Sequence, residues 1–284
     1  GETAEDIATA TCIMKPGVIL AGDLCIMRPN KIDGRFLSYI INHKAKYAIA
    51  RIAQGKSVVH IRPDEVEQIK VSYPSKSEQD KILRFLGLLS QKIEKQQQLI
   101  DSLKLYKRGV LKQIFSDINT FVKLKDIVEY RASSHTQLSL SQFKNGQYPV
   151  YDASGIFAHI STFDIESDYI AIIKDGSGVG RLQYCIKKST IIGTLGALIP
   201  IQCSAQYLIA ALETIDFAPF VTGAAIPHVY FKDYGNVNIP FASLEVQCNI
   251  SEIHNLLTKS IDNNEALLNR LIETKKALLQ QMFI

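Results

Sequence analysis

Long apolar runs are missing from this 284-residue chain. None reaches the roughly 18 residues a bilayer-spanning helix needs, and no signal peptide is visible. Cysteine is sparse: Cys12, Cys25, Cys185, Cys203 and Cys248 are odd in number, widely spaced and contain no CxxC pair. That pattern argues against a disulfide framework or a zinc site and for reduced, small apolar residues in a cytosol. The six histidines (His43, His60, His135, His159, His228 and His254) show no HxxxH spacing, so no metal site is expected. GxSxG, HExxH, a paired DxD and a Walker loop are also absent, which leaves no catalytic constellation to assign. Neither sign of charge dominates. A net charge of +4 is compatible with nucleic acid without pointing to it.

What the chain does contain is a duplication. Apolar residues make up 46% and charged residues 21%, enough for a real core, and the length suits two domains with connectors. Residues 55–115 lie over 223–283 without a gap, and 14 of the 61 positions are identical. They include Gly55/Gly223, His60/His228, Ser75/Ser243, Gln79/Gln247, Leu88/Leu256, Leu99/Leu267, Lys107/Lys275 and Phe115/Phe283. A repeat of this length is a duplicated module, not a solenoid unit. Upstream the match continues with a three-residue slip: Gly22-Asp-Leu24 over Gly193-Thr-Leu195, Pro29 over Pro200, and Phe36-Leu37 over Tyr207-Leu208. The second module starts near Phe121, whereas Gly1 aligns near Tyr169. The first module is therefore expected to be short at its N-terminal side.

Each copy ends in a long helical pattern. Ser75-Lys-Ser-Glu78 has the form of a capping box, which makes Ser75 the expected N-cap of a helix over 75–116. Along it, Ile82, Leu86, Leu89, Ile93, Gln96, Ile100, Leu103, Lys107, Val110 and Ile114 recur at alternating steps of four and three, a heptad seam. The second copy gives Ile250, His254, Leu257, Ile261, Asn264, Leu268, Leu271, Lys275, Leu278 and Met282. The exceptions coincide: Gln96 aligns with Asn264 and Lys107 with Lys275. Two helices of about 57 Å (at 1.5 Å per residue) would pack as an antiparallel pair with pseudo-twofold symmetry. Gln96 and Asn264 would then meet near the axis, where polar seam residues fix register. The basic residues along the first helix, Lys92, Lys95, Lys104, Lys107, Arg108 and Lys112, read as a solvated face.

In the second module, Tyr169–Ile173 is a short apolar strand, Ala205–Ile215 reads as a helix and 237–240 as a strand. Asp175-Gly-Ser-Gly-Val-Gly180 has the look of a phosphate loop, but Arg181–Ile186 continues as a strand where a dinucleotide fingerprint needs a helix. A hairpin turn is expected instead. The first module's equivalent pieces are 17–29, 36–43, 55–60 and 69–73. Strands mixed with few helices give an α+β fold.

The ordered double occurrence of these elements resembles the specificity subunit of type I restriction–modification enzymes. The residues that carry the resemblance are Tyr73-Pro74, Glu78-Gln79-Asp-Lys-Ile82 and Lys107-Arg-Gly-Val-Leu111-Lys-Gln113-Ile-Phe115. In the second copy they are Ile239-Pro240, Glu245-Val-Gln247-Cys-Asn-Ile250 and Lys275-Lys-Ala-Leu-Leu279-Gln-Gln281-Met-Phe283. Gly146-Gln-Tyr-Pro-Val-Tyr151 and Gly176-Ser-Gly also look like that family's recognition domain. Glu245 departs from the strict Glu-Gln pair by one position. The resemblance implies two target-recognition domains, 1–74 (short at its start) and 117–242, and two spacer helices, 75–116 and 243–284.

The resemblance further implies a non-catalytic, cytoplasmic reader of a bipartite, asymmetric target in double-stranded DNA. Its helices would set the unspecified spacer and dock two methyltransferase subunits, with restriction and translocase subunits completing the complex. S-adenosylmethionine, ATP and Mg would sit on those partners, and this chain would bind no cofactor. The Asn/Asp-Pro-Pro-Tyr/Phe tetrapeptide of adenine methyltransferases is absent here, as that division of labour requires. A shortened first module would make self-association one way to complete the subunit. Two other readings stay open at this point: the specificity component of a type IIB-like system, and a coiled-coil protein adaptor.

The polar loop residues suited to DNA contact are Arg131, Lys144, Lys174, Ser177, Arg181 and Thr194 in the second module, and Arg28, Lys31, Arg35 and Lys56 in the first. The helix-pair seam centres on Leu89, Ile93, Gln96, Ile100 and Leu103 against Leu257, Ile261, Asn264, Leu268 and Leu271.

Overall fold

Tyr169–Ile173 is a short segment of the second module that is apolar at every position, and the four-stranded sheet is organised around it. A computed structural model describes residues 3–22, 24–53, 60–141 and 146–283. In it β5 (Tyr169–Ile173) is buried at all five positions. It lies between β8 (Leu195–Pro200) and β6 (Leu182–Cys185), antiparallel to both, and β2 (Val128–Ala132) closes the four-stranded sheet on the far side of β8. Alternate side chains of a strand point to opposite faces. Ile170, Ile172 and Leu198 accordingly join one apolar cluster, while Tyr169, Ala171, Ile173, Leu195 and Ala197 join another. Burial on both faces is why β5 has no polar alternation.

A second, three-stranded sheet is formed by β4 (Gly155–Ile160), β3 (Tyr148–Asp152) and β7 (Thr190–Ile191), with β3 antiparallel to β4 and parallel to β7. A small ladder of β1 (Phe121–Lys123) against β9 (Asn238–Pro240) ties the module's two ends together. The helix α8 (Ala205–Leu212) is capped by Ser204, whose Oγ accepts from the Tyr207 N–H at 3.1 Å. It ends at Leu212, short of the sequence expectation of Ile215. Phe121–Val128, readable as strand or helix, is both: β1 leads into a single turn, α6 (Leu124–Ile127). Further short helices are α7 (Gln137–Ser141) and α9 (Phe231–Tyr234).

The first module differs from the strand-bearing expectation. Its described residues form helices, α1 (Ala4–Ile7), α2 (Gly34–Asn42), α3 (Lys46–Ile52) and α4 (Pro63–Glu67), and no strand. The segment 24–29 aligns with β8, which owes its place to ladders with β2 and β5. It has no such partners among the described residues, and Leu24, Ile26 and Met27 are exposed. The segment 69–73, aligned with the strand at 237–240, likewise makes no ladder. Of the segment 55–60, residues 55–59 lie outside the described residues.

Two long helices complete the chain, α5 (Lys76–Ser116, 41 residues) and α10 (Leu244–Met282, 39 residues). The capping box forms at Ser75: its N–H donates to Glu78 Oε2 at 3.0 Å and its hydroxyl donates to the same oxygen at 2.7 Å. The chain divides into two compact units, Gly1–Ile100 with Asn263–Ile284, and Asp101–Asp262. Each unit holds the start of one long helix and the end of the other. In the first, Leu83 and Leu86 of α5 share a core with Phe36, Ile40, Ile49 and Phe283. In the second, Leu111 and Phe115 of α5 share a core with Tyr207, Leu208, Ile239 and Ile250. Apolar residues early in one helix thus cluster with residues late in the other, so the two run antiparallel within each unit. The fold is α+β: the sequence repeat yields a helical first module and a mixed helix and strand second module among the described residues, and each unit holds parts of both long helices.

The repeat persists down to single hydrogen bonds. Gln79 donates from Nε2 to Pro74 O at 2.9 Å, and Gln247 donates to Ala242 O at 2.9 Å. Both glutamines are buried, and each ties the segment leading into a long helix to that helix's first turn. Phe115 packs edge-on against Tyr207 at 5.8 Å, and Phe283 packs against Phe36 at 5.2 Å, the residue aligned with Tyr207.

Candidate nucleic-acid interface

The turn between β5 and β6 is built by its glycines. Gly176 and Gly180 have φ of 93° and 84°, a left-handed conformation that side-chain-bearing residues rarely adopt. Gly180 donates to Ile173 O at 2.8 Å and Ile173 to Arg181 O at 2.9 Å, closing the hairpin. Asp175–Gly180 is therefore a turn and no phosphate cradle. Gly178 leaves room for the Arg181 guanidinium, which folds back over it and donates from Nη2 to Ala153 O at 3.2 Å.

A second loop is stitched onto this turn. Thr222 and His228 exchange backbone hydrogen bonds of 2.8 and 2.7 Å, and Gly223 (φ 90°) makes that closure possible. Gly176 N donates to Pro227 O at 3.0 Å and Val229 N to Lys174 O at 3.0 Å. Between the loops, His228 Nδ1 lies 2.6 Å from Asp175 Oδ1, with Lys174 Nζ 3.7 Å from the other carboxylate oxygen. Beyond His228 comes Tyr230, its ring near-parallel at 6.2 Å, and Lys232 Nζ sits 5.5 Å above that ring. The result is a polar edge with three basic side chains, an exposed aromatic ring and one carboxylate already engaged.

Of the residues singled out from sequence, this edge gathers Lys174, Ser177 and Arg181. Thr194 joins them, since its carbonyl accepts from Lys174 N at 3.0 Å. Ser177, Arg181 and Thr194 are exposed. Arg131 is exposed on β2 and is held by Asp164 O and Glu129, each at 2.8 Å. Arg28 and Lys31 are exposed in the first unit. Arg35 forks onto Asp33 at 3.0 and 2.9 Å. Hydrogen bonds from Arg35 outweigh Asp33's partial burial and hold its carboxyl well below the usual range, so Arg35 serves the N-cap of α2. Lys144 and Lys56 lie outside the described residues.

Asp175, His228, Tyr230 and Lys232 were not singled out from sequence. One signal was present: His60 and His228 are identical across the repeat. Sequence alone leaves that histidine in a loop, because its partner carboxylate is distant in sequence.

Among the seam residues, Ile100, Ile261 and Leu268 are buried, and Leu89, Ile93, Gln96, Leu103, Leu257, Asn264 and Leu271 are half-buried. Met282, at the end of the second stripe, is exposed, and Phe283 is buried instead. The outer helix faces carry apolar residues that remain exposed and are identical in both copies: Leu88 at 58% and Leu256 at 63%, with Leu99 and Leu267. Among the described residues no helix is long and apolar enough to cross a membrane, and no group of three or more His, Cys, Asp or Glu side chains could hold a metal ion.

A family model described as the type I restriction modification DNA specificity domain matches residues 4–105 and 117–273. A Mycoplasma genitalium protein named as a type I specificity subunit is 22% identical over 286 residues, covering 92% of this chain and 73% of its own length. The crystal structure of a type I restriction–modification S subunit from M. genitalium superposes with a TM-score of 0.62 at 19% identity, covering 89% of this chain and 73% of that one. A chain from a structure on assembly and conformational transition of the type I system gives 0.58 at 16% identity, covering 91% and 73%.

Proposed function

The chain belongs to the type I restriction modification DNA specificity family, and from that premise we propose that it reads a bipartite, asymmetric DNA target and docks two copies of one methyltransferase partner. Recognition is assigned to 1–74 and 117–242, and spacing and docking to the helices over 75–116 and 243–284. In the second module the reading edge is the loop pair around Lys174, Ser177, Arg181 and His228.

The observation that supports two equivalent partners is the repeated exposure of Leu88 with Leu256 and Leu99 with Leu267. A buried residue is retained in both copies by packing. The exposed part of such a leucine gains nothing from its own fold, so its retention in both copies supports a shared external contact. In this proposal the chain is non-catalytic and cytoplasmic and binds no cofactor. Its partners bring S-adenosylmethionine, and motor subunits with ATP and Mg complete the complex.

The test is the adenine methylome of cells expressing this chain with its cognate methyltransferase subunit. A bipartite asymmetric motif is the expected result. A palindromic motif would mean that two copies assemble and use one module each, and no new methylation would defeat the proposal.

A further inference from the structure

We propose that His228 is a specificity-determining side chain of the second module, its ring fixed by Asp175 so that Nε2 accepts a hydrogen bond from the amino group of a cytosine or adenine. The inference deepens the DNA-reading function above and rests on it.

Asp175 as a carboxylate can only accept, so the 2.6 Å contact places a hydrogen on His228 Nδ1. A carboxylate on one ring nitrogen sets the role of the other. In the neutral imidazole, Nε2 then carries a lone pair. In the major groove, the donors that such an acceptor can find are cytosine N4 and adenine N6.

A purely structural role for the pair is disfavoured by what surrounds it. The loop at 222–228 is already closed by two backbone bonds between Thr222 and His228. It is already joined to the hairpin turn by Gly176 N to Pro227 O and Val229 N to Lys174 O. The side-chain pair adds no connection these four bonds lack. What it adds is a fixed orientation for one ring, about a third of it exposed, on an edge shared with Arg181 and Lys174.

The experiment uses the chain in complex with its methyltransferase subunit. Binding is measured by competition against duplexes in which each base pair of the second module's half-site is replaced in turn, first for the wild type. A wild type with no position dependence would overturn both this inference and the DNA-reading function. With position dependence in place, His228→Ala is expected to lose about tenfold discrimination at one position and little elsewhere. Asp175→Ala, which frees the ring, should lose discrimination at the same position. Asp175→Asn, whose Oδ1 still accepts from Nδ1, should retain most of it. Uniform weakening with a shallower salt dependence would assign His228 to a phosphate and overturn the proposal. Unchanged preference together with a lowered melting temperature would also overturn it, by leaving only a structural pin.

Discussion

Gln96 donates from Nε2 to Asn264 Oδ1 at 2.8 Å and to Asn264 O at 3.2 Å, so a polar residue of one long helix bonds its own counterpart in the repeat. The bond sits among apolar seam residues, Ile93 half-buried and Ile100, Ile261 and Leu268 buried. Polar seam residues give up stability and gain register. Gln96→Leu alone should cost about 1–2 kcal/mol by leaving the Asn264 side chain without this donor. Replacing both with leucine should leave the pair helical and at least as stable, but with its register loosened. Cysteines at Leu89 and Leu271, one heptad away on each helix, report the register by disulfide formation. Crosslinking as selective in the double-leucine background as in the native one would refute a register role.

Much of this architecture is legible in the sequence because it depends on local period and on duplication. The heptad stripe, the capping box at Ser75 and the apolar run Tyr169–Ile173 each declare themselves within a few residues. Alignment of the copies even brings Gln96 and Asn264 opposite one another. What sequence does not expose is contact between distant segments. Asp175 and His228 are joined only when a hairpin turn and a remote loop fold together. Whether a segment such as 24–29 becomes a strand depends on partner strands as well as on its own residues, which align with β8 yet form no ladder among the described residues.

Lys107, Glu213 and His254 form a clasp in the second unit, where Glu213 accepts from Lys107 Nζ at 2.8 Å and lies 3.1 Å from His254 Nε2. It links α5, α10 and the end of α8. Partial burial pushes the Glu213 carboxyl up, but its bonds to His254 and Lys107 outweigh that and hold it below its ordinary value. A carboxyl so lowered contributes stability that is complete above its ordinary value and disappears as pH falls through the lowered one. Acid titration below about pH 4.3 should therefore destabilise the native chain more than Glu213→Gln, and Glu213→Ala should cost about 2–3 kcal/mol at neutral pH. Denaturant melts across that range decide it; parallel pH profiles for native and Glu213→Gln would count against the clasp.

Phe115 and Phe283 close the two units from the ends of different helices, and the first unit's version needs no ionic clasp: Leu86, fully buried, stands where His254 stands in the second. Truncating either phenylalanine to alanine should cost about 3–5 kcal/mol, and the loss should be local. Phe283→Ala should raise amide exchange in α2 and the start of α5. Phe115→Ala should raise it around α8 and the start of α10. Exchange that rises equally in both units for either variant would show that the units do not hold separate cores.

Leu88 and Leu256 allow partner docking to be separated from folding, because both are exposed and neither lies in an apolar core cluster. Surface changes away from packed features stay within about 0.5 kcal/mol, so Leu88→Glu and Leu256→Glu should melt like the native chain. If the two leucines belong to equivalent docking faces, each single variant should lose one methyltransferase subunit and keep the other, and the double variant should lose both. Mass measurement of the purified complexes distinguishes the cases directly. A single substitution that removes both subunits would mean cooperative docking or one shared surface. Full occupancy in the double variant would place the contact elsewhere on the helices and leave the repeated leucines unexplained.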